Sequence, residues 1–322
     1  MPVRSVEGLQ DADDVQRSVE AAYVRCRGIS AGKNADYIPV LAEVPSDLFA
    51  VSVVTAAGVL CRAGDTNHPF TIQSVSKPFV FALICQAIGE DDARAKLGVN
   101  STGLPFNSVI AIERTGDGAT NPMVNAGAIA ATSLAPGASA EEKWRFIRDE
   151  LSRFAGRDLK MNEEVYRSES ATNEHNEGLA ALLEAYDRIY WDPAEATDIY
   201  TRQCALNVTT DDLATMTATL ANGGVNPVTG DAIINAVHCQ HVLAVMVTAG
   251  LYENSGDWLY ETGLPGKSGV SGGMIAAAPG KCGIATFSPP LDEAGNSVKG
   301  QRAVCALSDA LGLNVFASCA RN

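Results

Sequence analysis

Strand-forming segments stand near both ends of this chain and helical texture fills the space between, which leaves few ways to fold. Residues 48–64 read as a hairpin: LFAVSVVTA is dense in β-branched residues, Gly58 marks a turn, and VLCRAG follows. Residues 269–278 and 281–288 read as a second hairpin-like pair around Pro279-Gly280. From about 90 to 250 the pattern is mostly helical, with amphipathic stretches at 141–155 and 177–190 and a Thr-Asp-Asp cap opening a helix at 210–221, and after Gly250 the texture reverts to strands. Further helices are expected at 7–28, 75–90 and 298–312, the second strongly apolar and buried. The simplest packing is one antiparallel sheet made from the N- and C-terminal segments, flanked by helices, with a helical domain inserted: an α+β fold. The expected division is a discontinuous sheet domain of 1–75 and 250–322 and a mainly helical domain of 76–249.

A chain of 322 residues is long enough to bury roughly three quarters of its unfolded surface, so it needs no disulfide framework. The eight cysteines include no C-x-x-C pair and lie singly in apolar or mixed segments, the pattern of reduced thiols in a cytoplasmic protein. The first sixteen residues contain no apolar core of a signal peptide, and the longest apolar stretch, 49–61, is too short to span a bilayer. A net charge of −14 argues against nucleic acid and against an anionic membrane surface as partners.

The most informative short motif is Ser74-Val75-Ser76-Lys77 at an expected loop-to-helix junction. Residues three apart on a helix share a face, so Lys77 can reach the Ser74 hydroxyl. Serine is a weak nucleophile until a base takes its proton, and a desolvated lysine can serve as that base. A helix N-terminus adds N–H donors that favour an oxyanion. Pro78 lacks an N–H and disfavours helix at Lys77, so the helix should begin within a residue or two of Ser74. The second motif, Lys267-Ser268-Gly269, is expected at the start of a strand that offers a backbone N–H to the same oxyanion. An S-x-x-K followed much later by K-[ST]-G is the order seen in penicillin-recognising serine enzymes. A phosphate-binding loop is disfavoured, because the segment lacks the G-x-x-x-x-G-K-[ST] spacing that motif needs.

The chain resembles the serine-dependent glutaminases of the β-lactamase-like superfamily over nearly its whole length. The matching stretches are FTIQSVSKPF (70–79), NPMVNAGAI (121–129), SESATNEHN (168–176), IYTRQCALNV (199–208), GLYENSGDW (250–258) and GLPGKSGVSGG (263–273). The resemblance implies a β-lactamase-like fold and hydrolysis of L-glutamine to L-glutamate and ammonia through a γ-glutamyl ester on Ser74, with no metal or cofactor. It implies Ser74 as nucleophile and Lys77 as base, with Tyr252 relaying a proton or orienting Lys77. The oxyanion hole it implies is the N–H groups of Ser74 and Val270. Substrate contacts are implied at Asn125, Glu169, Asn176, Tyr200, Tyr252 and Val270, with Lys267 in support. Glu169 is the natural partner for the substrate α-ammonium, and Tyr and Asn side chains can donate to its α-carboxylate. A homodimer or homotetramer is also implied.

The same residues have plainer readings. Tyr200 and Tyr252 alone would be packed aromatics, Glu169 a solvated charge, and Asn125 a helix cap. His238 and His241 form an H-x-x-H without an acidic third ligand nearby, which reads as packing or surface. His175 stands where the family usually carries Arg. Two other functions use the same motifs: another S-x-x-K hydrolase (β-lactamase, D,D-peptidase or esterase), or a non-catalytic amino-acid-binding module.

Overall fold

The computed structural model describes Leu9 and residues 11–318; positions 7, 8 and 10 of the expected first helix, and Cys319, lie outside the described residues. Its strands are β1 (Ala50–Thr55), β2 (Leu60–Gly64), β3 (Phe70–Thr71), β4 (Lys160–Met161), β5 (Leu206–Val208), β6 (Gly266–Ser268), β7 (Gly273–Ala278) and β8 (Cys282–Phe287). The hairpins β1–β2 and β7–β8 meet edge to edge, with Ala50 opposite Phe287 and Thr55 opposite Cys282. β6 pairs with β7 at the far edge, so the antiparallel order is β2-β1-β8-β7-β6. The two end segments therefore build one sheet in an α+β chain, as their composition predicts.

Alternation sorts the strand side chains between two cores. Val51, Val53, Met274, Ala276 and Ile284 face the helices Ala12–Cys26 and Val298–Leu311. Ala50, Val54, Ile275, Ala277, Ala285 and Phe287 face the helix Thr210–Ala221 and the helical middle of the chain. Both faces are covered, so β1, β7 and β8 are buried at every position. The helix Thr210–Ala221 starts on a capping box in which Thr209 Oγ1 accepts from Asp212 N while Asp212 accepts from Thr209 N. Among the described residues no helix is long and apolar enough to cross a membrane.

Three local expectations need correction. Residues 255–262 form a helix, not a strand: Ser255, Trp258 and Thr262, spaced three and four apart, are buried while Tyr260 is exposed. Lys267-Ser268 belongs to its own strand, β6, and does not open the next one. Residues 269–272 turn the chain, with Gly269 N donating to Gly273 O and Gly272 N to Gly269 O. The helix expected at 177–190 runs Glu174–Ala185, ending before Asp187 adopts a left-handed backbone (φ 55°). A small second sheet, β3-β5-β4, was not anticipated in the helical middle.

Candidate active site

Ser74 sits on a sharp corner. β3 is held to β5, and Ile72 N donates to Leu206 O (2.8 Å), so the chain enters the corner from a fixed direction. A single 3₁₀ turn, Gln73–Ser76, leads straight into the helix Lys77–Ile88, with Pro78 in its first turn. That is the start the proline requires. Gln73 has φ +48°, a left-handed backbone that costs a non-glycine residue roughly 1–3 kcal/mol and is typical of functional corners. Its buried amide donates to Glu169 Oε2 (3.2 Å) and Thr71 Oγ1 (3.4 Å).

Lys77 is almost fully buried and donates to Asn125 Oδ1 at 2.7 Å. Burial pushes its ammonium down to about 7, against the opposing pull of Cys204 and Glu169. Asn125 is the first residue of the helix Asn125–Ser133, and its side chain makes no cap bond. Instead its Oδ1 also accepts from Tyr200 OH (3.3 Å) and its Nδ2 donates to Asn176 Oδ1 (3.0 Å). The helix lies so close to the preceding turn that a Cβ on Gly127 would stand 2.1 Å from Asn121 O. The glycine of N-A-G is therefore a steric requirement for placing Asn125.

Tyr252, the other site residue with a left-handed backbone (φ 58°), hydrogen-bonds to the Ser74 hydroxyl and donates to Ser268 O (3.3 Å). Burial raises its phenol to about 12, with the Ser74 and Ser268 bonds opposing. Lys267 lies behind it, over the Tyr252 ring at 4.1 Å, donating to Gly250 O (3.0 Å) and Ser268 O (2.7 Å). Its fully buried ammonium is driven well below the ordinary lysine range by desolvation, and next by the charge of Lys77. Lys267, expected in support of the site, packs as a buttress of Tyr252. Gly269 packs on the Ser74 corner, where a Cβ would come within 3.1 Å of Ile72 O and Val75 Cγ2. That contact sets Val270 beside Ser74.

Ser74, Asn125, Glu169, Asn176, Tyr200 and Val270 line one cavity of about 140 Å³, while Lys77 and Tyr252 stand immediately behind it. Roughly 150 Å³ is enough for a benzene-sized ligand, so this space suits a single amino acid. Glu169 is buried, and desolvation raises its carboxyl to about 7 despite the Gln73 bond and the Lys77 charge. A cationic ligand group would return it to the ionised form.

Other lining residues had no role assigned from the sequence. Gln73 and Asn173 look like ordinary polar residues in sequence, and a left-handed φ leaves no trace in residue order. Phe106 stacks obliquely on Tyr252 with ring centroids 5.0 Å apart, and its carbonyl accepts from Asn125 N at 2.8 Å. His175 lies at the rim, with Nε2 on Asn107 O. His238 is buried with Nδ1 3.3 Å from Glu90 Oε2, and His241 is exposed, which fits packing and surface roles. Among the described residues no group of three or more His, Cys, Asp or Glu could hold a metal ion. Among the described residues seven cysteines are free, six of them buried.

Comparison with known proteins points one way. The family model described as Glutaminase matches residues 32–316. "Glutaminase 2" of Yersinia pestis is 57% identical over 310 residues, covering 96% of this chain and 91% of that protein. A "Glutaminase" of Brucella canis is 52% identical over 307 residues, covering 95% and 96%. Among solved structures, the probable glutaminase YbaS superposes with a TM-score of 0.95 at 47% identity, covering 96% of this chain and all of that one. A probable glutaminase from Bacillus subtilis, complexed with 6-diazo-5-oxo-L-norleucine, gives 0.83 at 30% identity, covering 98% and 100%.

Proposed function

The chain belongs to the glutaminase family and hydrolyses L-glutamine, and from that premise we propose how its residues carry the reaction. The observation that supports the reading best is the cavity itself, with Ser74 on its wall and the buried carboxylate Glu169 on the same wall system. An amino acid with an amide at one end and an ammonium at the other matches that pair. Glu169 takes the α-ammonium, and Asn176, Asn125 and Tyr200 hold the α-carboxylate. The side-chain amide then meets Ser74, its oxygen facing the N–H groups of Ser74 and Val270.

Acid and base are separated by environment. Lys77, about half of it neutral near pH 7, takes the Ser74 proton as Oγ attacks the amide carbon. Tyr252, with its phenol near 12, stays protonated and gives its proton to the departing nitrogen, which leaves as ammonia. The Lys77 proton returns to the phenolate. Water, deprotonated by Lys77, then attacks the γ-glutamyl ester, and Lys77 passes that proton to the departing Ser74 Oγ as glutamate is released. The split into a 1–75/250–322 sheet domain and a 76–249 helical domain, a cytoplasmic home and a homodimeric or homotetrameric state accompany this reading. The strand texture at both ends of the chain supports the first, the buried free thiols support the cytoplasmic home, and the resemblance supports the oligomer.

Two measurements test these roles. kcat/KM, which reports groups of the free enzyme, should rise with pH through about 7. Lys77 must lose a proton to act as base and Glu169 must lose one to pair with ammonium, so both limbs run in the same direction. A profile flat from pH 5.5 to 8 would exclude that assignment. Tyr252→Phe removes the hydroxyl that touches Ser74, and kcat should fall about 10²-fold or more with KM little changed. A kcat within threefold of the parent would remove Tyr252 from proton transfer.

A further inference from the structure

A single unbroken chain of hydrogen bonds leads away from Lys77. Lys77 Nζ donates to Asn125 Oδ1 (2.7 Å), Asn125 Nδ2 to Asn176 Oδ1 (3.0 Å), Asn176 Nδ2 to Asn173 Oδ1 (2.8 Å), and Asn173 Nδ2 to Thr201 Oγ1 (2.9 Å). Thr201 Oγ1 then donates to Thr197 O (2.9 Å) inside the helix Pro193–Cys204. Every link points the same way. The two final side chains were invisible as site residues in the sequence, and Thr201 has no exposed surface.

The direction of this chain is set from its far end. A main-chain carbonyl only accepts, so the single hydroxyl hydrogen of Thr201 goes to Thr197 O. Thr201 Oγ1 must then accept from the amide of Asn173, which turns Asn173 Oδ1 toward Asn176. The same logic turns Asn176 Oδ1 toward Asn125 and Asn125 Oδ1 toward Lys77. An amide whose two ends look alike in shape is thereby oriented by its bonding alone. The orientation does not depend on whether Lys77 carries its proton. When Lys77 is neutral, a remaining N–H still points at Asn125, and its lone pair is left to face elsewhere.

We propose that Thr201 is a positioning residue: through Asn173, Asn176 and Asn125 it keeps an acceptor facing Lys77 in both protonation states, which aims the lysine lone pair away from Asn125 and toward the Ser74 side. The inference rests on Lys77 being the base. The other titratable groups around Lys77 are Glu169, Cys204, Tyr200 and Lys267, and Thr201 Oγ1 bonds to none of them, its partners being Asn173 and Thr197.

Thr201→Val keeps the shape and removes the hydroxyl. Asn173 loses its fixed acceptor, and Asn125 is then oriented only by the longer bond from Tyr200 OH (3.3 Å), so its NH₂ turns more readily toward Lys77, which disfavours the ammonium. The expected result in the full-length enzyme is a fall in kcat of about tenfold, with the acid limb of kcat/KM moved about half a pH unit or more toward acid. Thr201→Ser, which keeps the hydroxyl, should restore both. Asn173→Ala cuts the chain one link earlier and should give the same limb shift, and it decides the matter if circular dichroism shows that Thr201→Val does not fold. Parent-like kcat and limb in Thr201→Val and Asn173→Ala overturn the proposal, as does a Thr201→Ser variant as impaired as Thr201→Val, since the methyl group would then be responsible. The Ser74→Ala variant separates the two levels. If it still turns over, the reading of the site fails. If it is dead while the Thr201 and Asn173 variants behave like the parent, only this inference fails.

Discussion

Ser74→Ala should release ammonia from glutamine at least about 10⁴-fold more slowly than the parent while folding normally and still binding glutamine. The size of the loss follows from what surrounds the residue. The thiol at the site, Cys204, is fully buried, hydrogen-bonds with Tyr200, and burial drives it far above the range where a thiolate forms, so it cannot substitute as nucleophile. Water admitted to the cavity would lack the fixed direction that the Gln73 corner gives the serine oxygen. Folding should survive because the change deletes one small side chain from the cavity wall and one hydrogen bond to Tyr252, a loss of roughly 1 kcal/mol. Ammonia release and calorimetric titration with glutamine on the same preparation check both halves. Turnover within tenfold of the parent would mean that Ser74 is not the nucleophile.

Much of this site is legible in the residue order because its chemistry is local there. Ser74 and Lys77 are three apart, and the proline after Lys77 fixes where the helix can start. Strand texture at both ends likewise foretells the five-stranded sheet, since β-branched runs around Gly58 and Pro279-Gly280 leave little else to form. What fails to show is of two kinds. Backbone strain is one: nothing about Gln73 or Tyr252 as residue types announces a positive φ, yet those two corners bring the phenol to the serine. Long-range pairing is the other. Asn173 and Thr201 lie 28 residues apart and meet only because the helices Glu174–Ala185 and Pro193–Cys204 pack together. Residues 255–262 misled for a local reason, since Trp, Tyr and Thr favour strands, while their three-and-four spacing decides for helix. Motif order likewise carries no depth: only the fold shows that Lys267 packs against the Tyr252 ring.

Glu169→Gln should separate function from stability in opposite directions. Without the carboxylate, the substrate ammonium enters a buried site with no counter-charge, and losing one partner of such a pair costs about 2–5 kcal/mol. That predicts a fall in kcat/KM of about 10²- to 10³-fold, mostly through KM. The unliganded protein should respond the other way. Burial raises Glu169 to about 7 in the folded state, above the unfolded value of 4.5. A group shifted upward stabilises the fold below its unfolded pKa and loses that contribution as pH rises through the folded pKa, so at pH 8 the native protein carries a buried charge it would be more stable without. The isosteric amide removes that burden and still accepts from Gln73 Nε2, which bonds Glu169 at 3.2 Å. The variant should therefore melt higher than the parent at pH 8, by on the order of 2–3 kcal/mol in unfolding free energy, with the gap closing toward pH 5. Thermal melts at both pH values, with and without glutamate, make the comparison. Added glutamate should raise the parent's melting temperature and leave that of Glu169→Gln nearly unmoved. A variant less stable than the parent at every pH would show that Glu169 serves the fold instead of the ligand.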